Sequence, residues 1–134
     1  MSLDKALRAA QQAVPECLAV GYVDMSTGML LGVSTLDSHP KEVLDLVAAA
    51  TADLFQGPNV SSIEQIFRRR RGHAEDGKHY FQEVVVFSDS LLHVFLRGKR
   101  YSSQAICFVC RGSVNVGMAL MKARLALPTV EAAV

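Results

Sequence analysis

The fold is decided by residues 83–110, which read EVVVF-SDS-LLHVFLR-GKRYSS-QAICFVC. Three runs rich in β-branched and aromatic residues are separated by short polar breaks, a pattern that predicts an antiparallel meander of three strands. The break at residues 88–90 favours a tight turn, because short polar side chains hydrogen-bond to their own backbone. The runs are apolar at nearly every position, so we expect other elements to cover both faces of this sheet.

Length, charge and cysteine content narrow the class of protein. The chain has 134 residues, a formal net charge of +1 and three cysteines. A net charge near zero gives no general attraction for nucleic acid. No apolar run approaches the ~20 residues that span a bilayer, and residues 1–5 lack the basic start of a signal peptide. An odd number of cysteines without a signal peptide predicts reduced thiols and a cytoplasmic protein.

A helix and a second hairpin precede the meander. Residues 2–14 predict an amphipathic helix with Ser2 as its N-cap and Pro15 as its stop. Residues 17–23 and 29–33 predict two strands joined by a turn at residues 24–28. The apolar stripe of this first helix consists of Leu3, Leu7, Ala10 and Val14.

A long alanine-rich helix follows this hairpin. Pro40 suits its first turn, and Gly57-Pro58 ends it. One apolar stripe contains Val43, Val47, Ala50 and Leu54, and a neighbouring surface of small residues contains Ala48, Ala49 and Ala52. Small side chains let two helices approach closely, so we expect this helix to contact another helix.

Two further helices are predicted. Residues 62–70 favour a short helix with a capping box at Ser61–Glu64, a strand being the alternative, and residues 72–77 a polar loop. Its apolar contacts are predicted to be Ile63, Ile66 and Phe67.

The last helix is expected to begin near Gly112 and end at Pro128, with an apolar stripe of Val114, Met118, Met121 and Leu125. Five antiparallel strands with packed helices give an α+β fold in the order α-β-β-α-(α)-β-β-β-α.

This succession resembles the roadblock/dynein light chain domain, which has a profilin-like fold. The resemblance rests on the hairpin at residues 19–30, on the alanine-rich helix from Val43 to Phe55, and on residues 105–109 followed by Asn115-Val116-Gly117. It implies a single roadblock-like domain over residues 1–134, with an insertion at 58–80 and a tail at 128–134. The insertion is longer than the usual link of that family.

The resemblance also implies a function. Roadblock domains pair as homodimers or heterodimers through the alanine-rich helix and a neighbouring strand, so the resemblance implies a dimer, and we expect a homodimer. Bacterial and archaeal members often act beside small Ras-like GTPases. We therefore expect a protein-interaction module that regulates or scaffolds a partner such as a small GTPase. A profilin-like sensory domain that binds a small ligand is the alternative. The implied dimer interface contains Val43, Leu44, Val47, Ala48, Ala49, Thr51, Ala52 and Phe55.

Candidate catalytic and metal-binding residues have simpler structural explanations. Cys107 and Cys110 form a C-x-x-C, but residues i and i+3 of a strand point to opposite faces, so we expect two separate buried thiols. His93 lies on a strand beside apolar residues, where a half-buried imidazole with a hydrogen-bond partner is expected. The chain has no nucleophile elbow and no phosphate-binding glycine motif. We predict no catalytic residue, no cofactor and no bound metal, with a small cysteine-dependent enzyme as a remote alternative.

The most distinctive polar feature is the run of four arginines at residues 68–71. Such a run is either a solvated helix end or a surface for an anionic partner, and an acidic protein fits the near-neutral charge better than nucleic acid does. The candidate patch comprises Arg68, Arg69, Arg70, Arg71, Arg97, Lys99 and Arg100.

Overall fold

A computed structural model describes residues 2–36, 41–71 and 81–134, and for residues 41–46 the backbone only. The predicted start of the alanine-rich helix at residues 37–40 and the predicted loop at 72–77 lie outside these ranges. The elements are α1 (Leu3–Ala13), β1 (Cys17–Asp24), β2 (Met29–Thr35), α2 (Lys41–Gln56), α3 (Pro58–Arg70), β3 (Glu83–Phe87), β4 (Leu91–Arg97), β5 (Gln104–Arg111) and α4 (Val116–Ala132). Within the described residues no helix is long and apolar enough to cross a bilayer.

The strands of the described ranges form one sheet in the order β2-β1-β5-β4-β3. Every neighbouring pair is antiparallel, and β5 lies in the centre between β1 and β4. The predicted five-stranded antiparallel sheet and the predicted order of elements are therefore confirmed. The hairpin and the meander join into one sheet because β1 pairs with the last strand, β5, as well as with β2.

Each face of the sheet carries its own apolar core. On one face, α1 and α4 cover a core that includes Leu7, Tyr22 and Phe108. On the other face, α2 covers a smaller core that includes Phe55 and Phe95. Alternate residues of β5 serve the two cores, since side chains of a strand point to opposite faces in turn. The expectation of a sheet covered on both faces is confirmed for β4 and β5.

The helix α3 begins earlier than predicted. It starts at Pro58, directly after Gly57, which is both the link from α2 and the N-cap. A Cβ atom at Gly57 would lie 2.7 Å from the carbonyl oxygen of Asp53, so glycine permits this one-residue connection. Ser62 lies inside the helix, where its hydroxyl donates to the Pro58 carbonyl oxygen over 2.9 Å. The capping box at residues 61–64 was therefore wrong, and so was the alternative of a strand.

The helix α4 begins and ends differently from the prediction. Asn115 is its N-cap, and the Asn115 side chain accepts a hydrogen bond from the backbone N–H of Met118 over 3.0 Å. Pro128 lies inside the helix, which continues to Ala132. Proline removes one hydrogen bond within the helix. Burial of Val130 and Glu131 beyond the proline offsets that loss, so residues 129–132 are not a tail.

The buried face of α4 is also different from the predicted stripe. Met118, Met121 and Leu125 are 44%, 47% and 66% exposed. The residues that face the core are smaller on average, because α4 packs closely against both the sheet and α1. They are Ala119, Ala123, Leu127 and Val130.

Candidate functional site

The outer strand β3 presents a backbone edge that is not paired within the described residues. The Ser88 N–H donates to the Leu91 carbonyl oxygen over 3.0 Å, and the Arg97 N–H donates to the Gln82 carbonyl oxygen over 2.8 Å. Hydrogen-bonded pairs alternate along an antiparallel ladder, so the even-numbered residues of β3 bond to β4. The N–H and C=O groups of Val85 and Phe87 therefore point away from the sheet.

The side chains of this edge strand are unusually apolar for an exposed position. Val85, Val86 and Phe87 are 36%, 37% and 65% exposed. The expectation that both faces of the meander are covered is therefore wrong for β3 within a single chain. Solvent-exposed edge strands normally carry charges or proline, because an apolar edge invites pairing with another chain.

The helix α2 shows one apolar face to its own core and another to solvent. Ala48, Thr51 and Phe55 are fully buried against the sheet, whereas Val47 and Leu54 are 41% and 37% exposed. Of the remaining residues in the implied dimer interface, Ala49 is exposed, Ala52 is half-buried, and the side chains of Val43 and Leu44 lie outside the described residues. The outward stripe is thus Val47, Ala50 and Leu54.

Arg97 occupies the junction between the sheet and the end of α2, where it is 2% exposed. Its Nε donates to the Phe81 carbonyl oxygen over 2.9 Å, and its Nη1 donates to the Ser102 carbonyl oxygen over 2.9 Å. Burial lowers the pKa of Arg97, and the nearby Glu64 carboxylate acts in the opposite direction. This guanidinium is a structural connector, so the prediction that it belongs to an exposed basic patch was wrong.

The helix α3 faces the opposite way from the prediction. Glu64 and Arg68 are the buried residues, at 2% and 8% exposure. Ile63, Ile66 and Phe67, the predicted core contacts, are 42%, 50% and 45% exposed. The inward residues follow helical spacing i and i+4, with Glu64 close enough to influence the buried Arg97. Arg68 therefore leaves the candidate patch.

The rest of the candidate basic patch divides into two groups. Arg69, Arg70 and Arg71 are exposed at the end of α3, which packs on α2. Lys99 and Arg100 are exposed in the turn between β4 and β5, beside the end of α4. The helices α2 and α4 lie on opposite faces of the sheet.

The turn at residues 98–103 is held by a buried carboxylate. Glu131 is 3% exposed and accepts hydrogen bonds from the backbone N–H groups of Lys99, Arg100 and Tyr101 over 3.1, 2.8 and 2.9 Å. Three donors converge on one carboxylate, which fixes the turn against α4. Sequence reasoning missed Glu131, although the spacing of Ala123, Leu127 and Val130 continues the helical period past the proline.

The residues considered for chemistry occupy separate places. Cys107 belongs to the core under α2 and Cys110 to the core under α1 and α4, so the prediction of opposite faces is confirmed. His93 is half-buried, stacks on Phe95 with ring centres 6.3 Å apart, and lies 3.1 Å from the Ser88 hydroxyl. No group of three or more His, Cys, Asp or Glu side chains converges within the described part of the chain.

The sequence matches no protein-family model and no curated protein. Solved structures resemble it in fold. A roadblock/LC7 domain from Streptomyces avermitilis is 19% identical, with a TM-score of 0.68 over 98% of this chain and 97% of that chain. The gliding protein MglB from Thermus thermophilus is 16% identical, with a TM-score of 0.67 over 96% of this chain and 85% of that chain.

A third similar structure is an MglB with a tetrameric arrangement. It is 15% identical, with a TM-score of 0.66 over 97% of this chain and 88% of that chain. Identities this low establish a shared fold and no more. The chain therefore has the fold of roadblock/LC7 domains.

Proposed function

We propose that this chain is a protein-interaction module that forms a homodimer and regulates or scaffolds a partner protein. The observation that carries the proposal is the apolar free edge of β3, where Val85, Val86 and Phe87 are all more than a third exposed. An exposed apolar edge is a template for strand addition. A second copy of β3 is the natural occupant, because an antiparallel two-fold pairing satisfies the same donors and acceptors on both chains.

The outward stripe of α2 is a second apolar surface that a partner can cover. Val47 and Leu54 are large apolar residues exposed on a helix whose opposite side already fills its own core. Between them Ala50 is exposed and small, which permits close helix packing. The interface we propose therefore uses Val47, Ala50 and Leu54 with the edge of β3. This modifies the interface expected from the sequence, since Ala48, Thr51 and Phe55 already belong to the core of one chain.

The partner class follows from the resemblance to roadblock domains. That resemblance implies a small Ras-like GTPase, with this module as a regulator or scaffold and without a catalytic residue of its own. One of the similar structures is an MglB in a tetrameric arrangement, which supports oligomeric assembly for this fold. The alternative of a small-ligand sensor has less support, because the clefts of about 280, 490 and 790 Å³ found on the described residues are all wide open to solvent and do not enclose a ligand.

Substitution of Val85 by proline tests the dimer directly. Val85 points its N–H away from β4, so Val85→Pro removes a donor from the free edge and leaves the β3–β4 ladder bonds in place. We expect a folded monomer by light scattering and a dimer for the matched control Val85→Thr, which keeps the N–H and the branched side chain. Ala50→Arg should have the same effect as Val85→Pro, since it places charge and bulk in the helix contact. A wild-type protein that stays monomeric across a concentration series contradicts the proposal.

Partner binding is tested separately. Ras-like GTPases from the same genome, each loaded with a fluorescent GDP or GTP analogue, can be titrated with the purified protein. We expect a rise in fluorescence anisotropy for one of them and a change in its rate of nucleotide hydrolysis or exchange if the module regulates it. Binding without a change in either rate indicates a scaffold. Absence of binding to every such GTPase contradicts the choice of partner and leaves the dimer proposal standing.

A further inference from the structure

Cys17 and Cys110 lie directly opposite each other on neighbouring strands β1 and β5. The N–H of Arg111 donates to the carbonyl oxygen of Glu16 over 3.0 Å. Arg111 follows Cys110 and Glu16 precedes Cys17, so this bond belongs to the neighbouring, hydrogen-bonded pair of the ladder. Pairs of the two kinds alternate, and Cys17 and Cys110 are therefore a non-hydrogen-bonded pair. In such pairs the Cα atoms are roughly 4.5 Å apart and the side chains approach closely. Disulfides need Cα atoms about 4.4–6.8 Å apart, so this pair meets the geometric requirement.

The two thiols already interact. They hydrogen-bond to each other, which lowers the pKa of Cys110 and raises the pKa of Cys17. The sulfur of Cys17 also lies 3.3 Å from the carbonyl oxygen of Ala19, and this contact fixes its direction. Two cysteines that face each other across paired strands, one of them with an acidified thiol, are arranged for thiol–disulfide chemistry.

The three free cysteines differ in how easily a small reagent can reach their thiols. Cys17 lines a surface cleft of about 490 Å³ whose walls include Arg8, Gln11 and Ser34. Cys110 is fully buried and lies opposite Cys17 on the neighbouring strand, so a small reagent reaches the pair through this cleft. Cys107 lies on the other face of the sheet, and burial raises its pKa to about 12, which makes it a poor nucleophile.

We propose that Cys17 and Cys110 are a redox-active pair that a peroxide converts reversibly into an intrachain disulfide. The Cys110 thiolate attacks one peroxide oxygen, the O–O bond breaks, and with one proton the leaving oxygen departs as water and a sulfenic acid remains on Cys110. The Cys17 sulfur then attacks the Cys110 sulfur as its thiol loses a proton, the S–O bond breaks, and the hydroxyl leaves as a second water with that proton. Two thiols are oxidised and one peroxide is reduced to two waters. A dithiol reductant reverses the bond by exchange.

The position of the pair gives the bond a structural consequence. Glu16, directly before Cys17, has a left-handed backbone with φ of 52°, and the register of β1 shifts between Cys17 and Ala19. The disulfide ties this irregular start of β1 to the end of β5. Oxidation therefore fixes the corner between α1 and the strands β1 and β5, and β4 separates these strands from the proposed dimer surface on β3.

The test is treatment of the folded protein with a small molar excess of hydrogen peroxide, then alkylation in denaturant and mass spectrometry without reduction. We expect the treated chain to carry one disulfide and one alkyl group, and treatment with dithiothreitol before alkylation should restore three alkyl groups. Trypsin cleaves after Arg8, Lys41, Arg100 and Arg111, so the linked peptides should be residues 9–41 and 101–111. The second peptide contains both Cys107 and Cys110, so the variant Cys107→Ser makes the assignment.

Cys107→Ser leaves only Cys17 and Cys110 and should behave like the wild type. Cys17→Ser and Cys110→Ser should form no intrachain link. If either of these two fails to fold, the wild type and Cys107→Ser still decide the question. Three alkylated thiols in the treated wild type overturn the proposal, as does a link through Cys107 or a link between two chains.

Discussion

The guanidinium carbon of Arg97 lies 5.1 Å from the centre of the Phe55 ring, and Nη2 of Arg97 donates to the Phe55 carbonyl oxygen over 2.9 Å. One side chain from the sheet thus binds both the side chain and the backbone at the end of α2. It satisfies a carbonyl group that has no partner within the helix, as expected at a helix C-terminus. This contact orients α2, and with it the stripe that we propose as a dimer surface.

Removal of the Arg97 side chain should destabilise the fold strongly. Arg97→Ala leaves several buried carbonyl groups without a donor, and we expect a loss of about 3–5 kcal/mol in the free energy of unfolding. The loss for Arg97→Lys should lie between zero and that of Arg97→Ala, because an ammonium group keeps the charge but cannot reach the same set of acceptors. Urea denaturation measures the difference. The exposed neighbour Arg100 is the control, and Arg100→Ala should change stability by less than about 0.5 kcal/mol. Equal losses for the two alanine variants contradict the connector role.

Glu131 should be essential to the end of α4. Glu131→Ala leaves three backbone N–H groups of the turn at residues 98–103 without their acceptor. We expect a loss of at least about 2 kcal/mol, because hydrogen bonds to a charged group are among the stronger ones. Glu131→Gln keeps one acceptor oxygen and should lose less. A chain shortened after Pro128 should be less stable as well, and thermal denaturation measures this loss as a lower thermal midpoint. A shortened chain as stable as the full one would show that the last turn of α4 is dispensable.

His93 should make stability depend on pH on the acidic side of neutrality. Burial lowers the pKa of His93 below its ordinary value of 6.5. The unfolded chain therefore binds a proton at a higher pH than the folded chain does. Stability from the neutral imidazole is complete above the unfolded pKa and is lost as pH falls through 6.5 toward the folded pKa.

The variant His93→Phe isolates this contribution, because it keeps an aromatic ring beside Phe95 and cannot titrate. The difference in stability between wild type and variant should change with pH below 6.5 and be constant above it. Denaturation curves at several pH values provide the measurement. A difference that does not vary with pH would mean that the imidazole has the same pKa in both states.

The exposed arginines of α3 should matter for binding and not for folding. Arg69, Arg70 and Arg71 lie in solvent, where charge pairs contribute only about 0–1 kcal/mol each. We expect the triple change of these residues to serine to leave the thermal midpoint nearly unchanged. The triple change should weaken binding to a fluorescent poly-glutamate peptide. Added salt should weaken binding of the same peptide by the wild-type protein in the same way.

The control for this prediction removes the same charge elsewhere. Lys5, Arg8 and Arg111 are exposed on α1 and at the end of β5, and their triple change to serine alters the net charge by the same amount. Equal peptide binding by the two triple variants would show that bulk charge, and not the end of α3, attracts the acidic partner. Unfolding of the first variant would show instead that the arginines are structural.

The sequence by itself determined the elements and their order. Local hydrogen-bonding preferences placed the N-cap at Ser2, and runs of β-branched residues placed all the strands of the described ranges, since both signals depend on neighbours in the chain. The alternation of side chains along a strand was enough to separate Cys107 from Cys110 onto opposite faces. The fold class followed from this order.

Only the tertiary structure decided which face of each helix is buried. The sequence pointed to Ile63, Ile66 and Phe67 as the core side of α3, yet Glu64 and Arg68 occupy it. Glu64 is buried there because Arg97 places a cation nearby that its carboxylate can neutralise. The tertiary structure also decided that β3, like β2, lies at an edge of the sheet, since the order of strands depends on pairing between residues far apart in the chain. The pairing of Cys17 with Cys110 has no local signal at all. The register of β1 against β5 brings them together, and that register is set by the whole sheet.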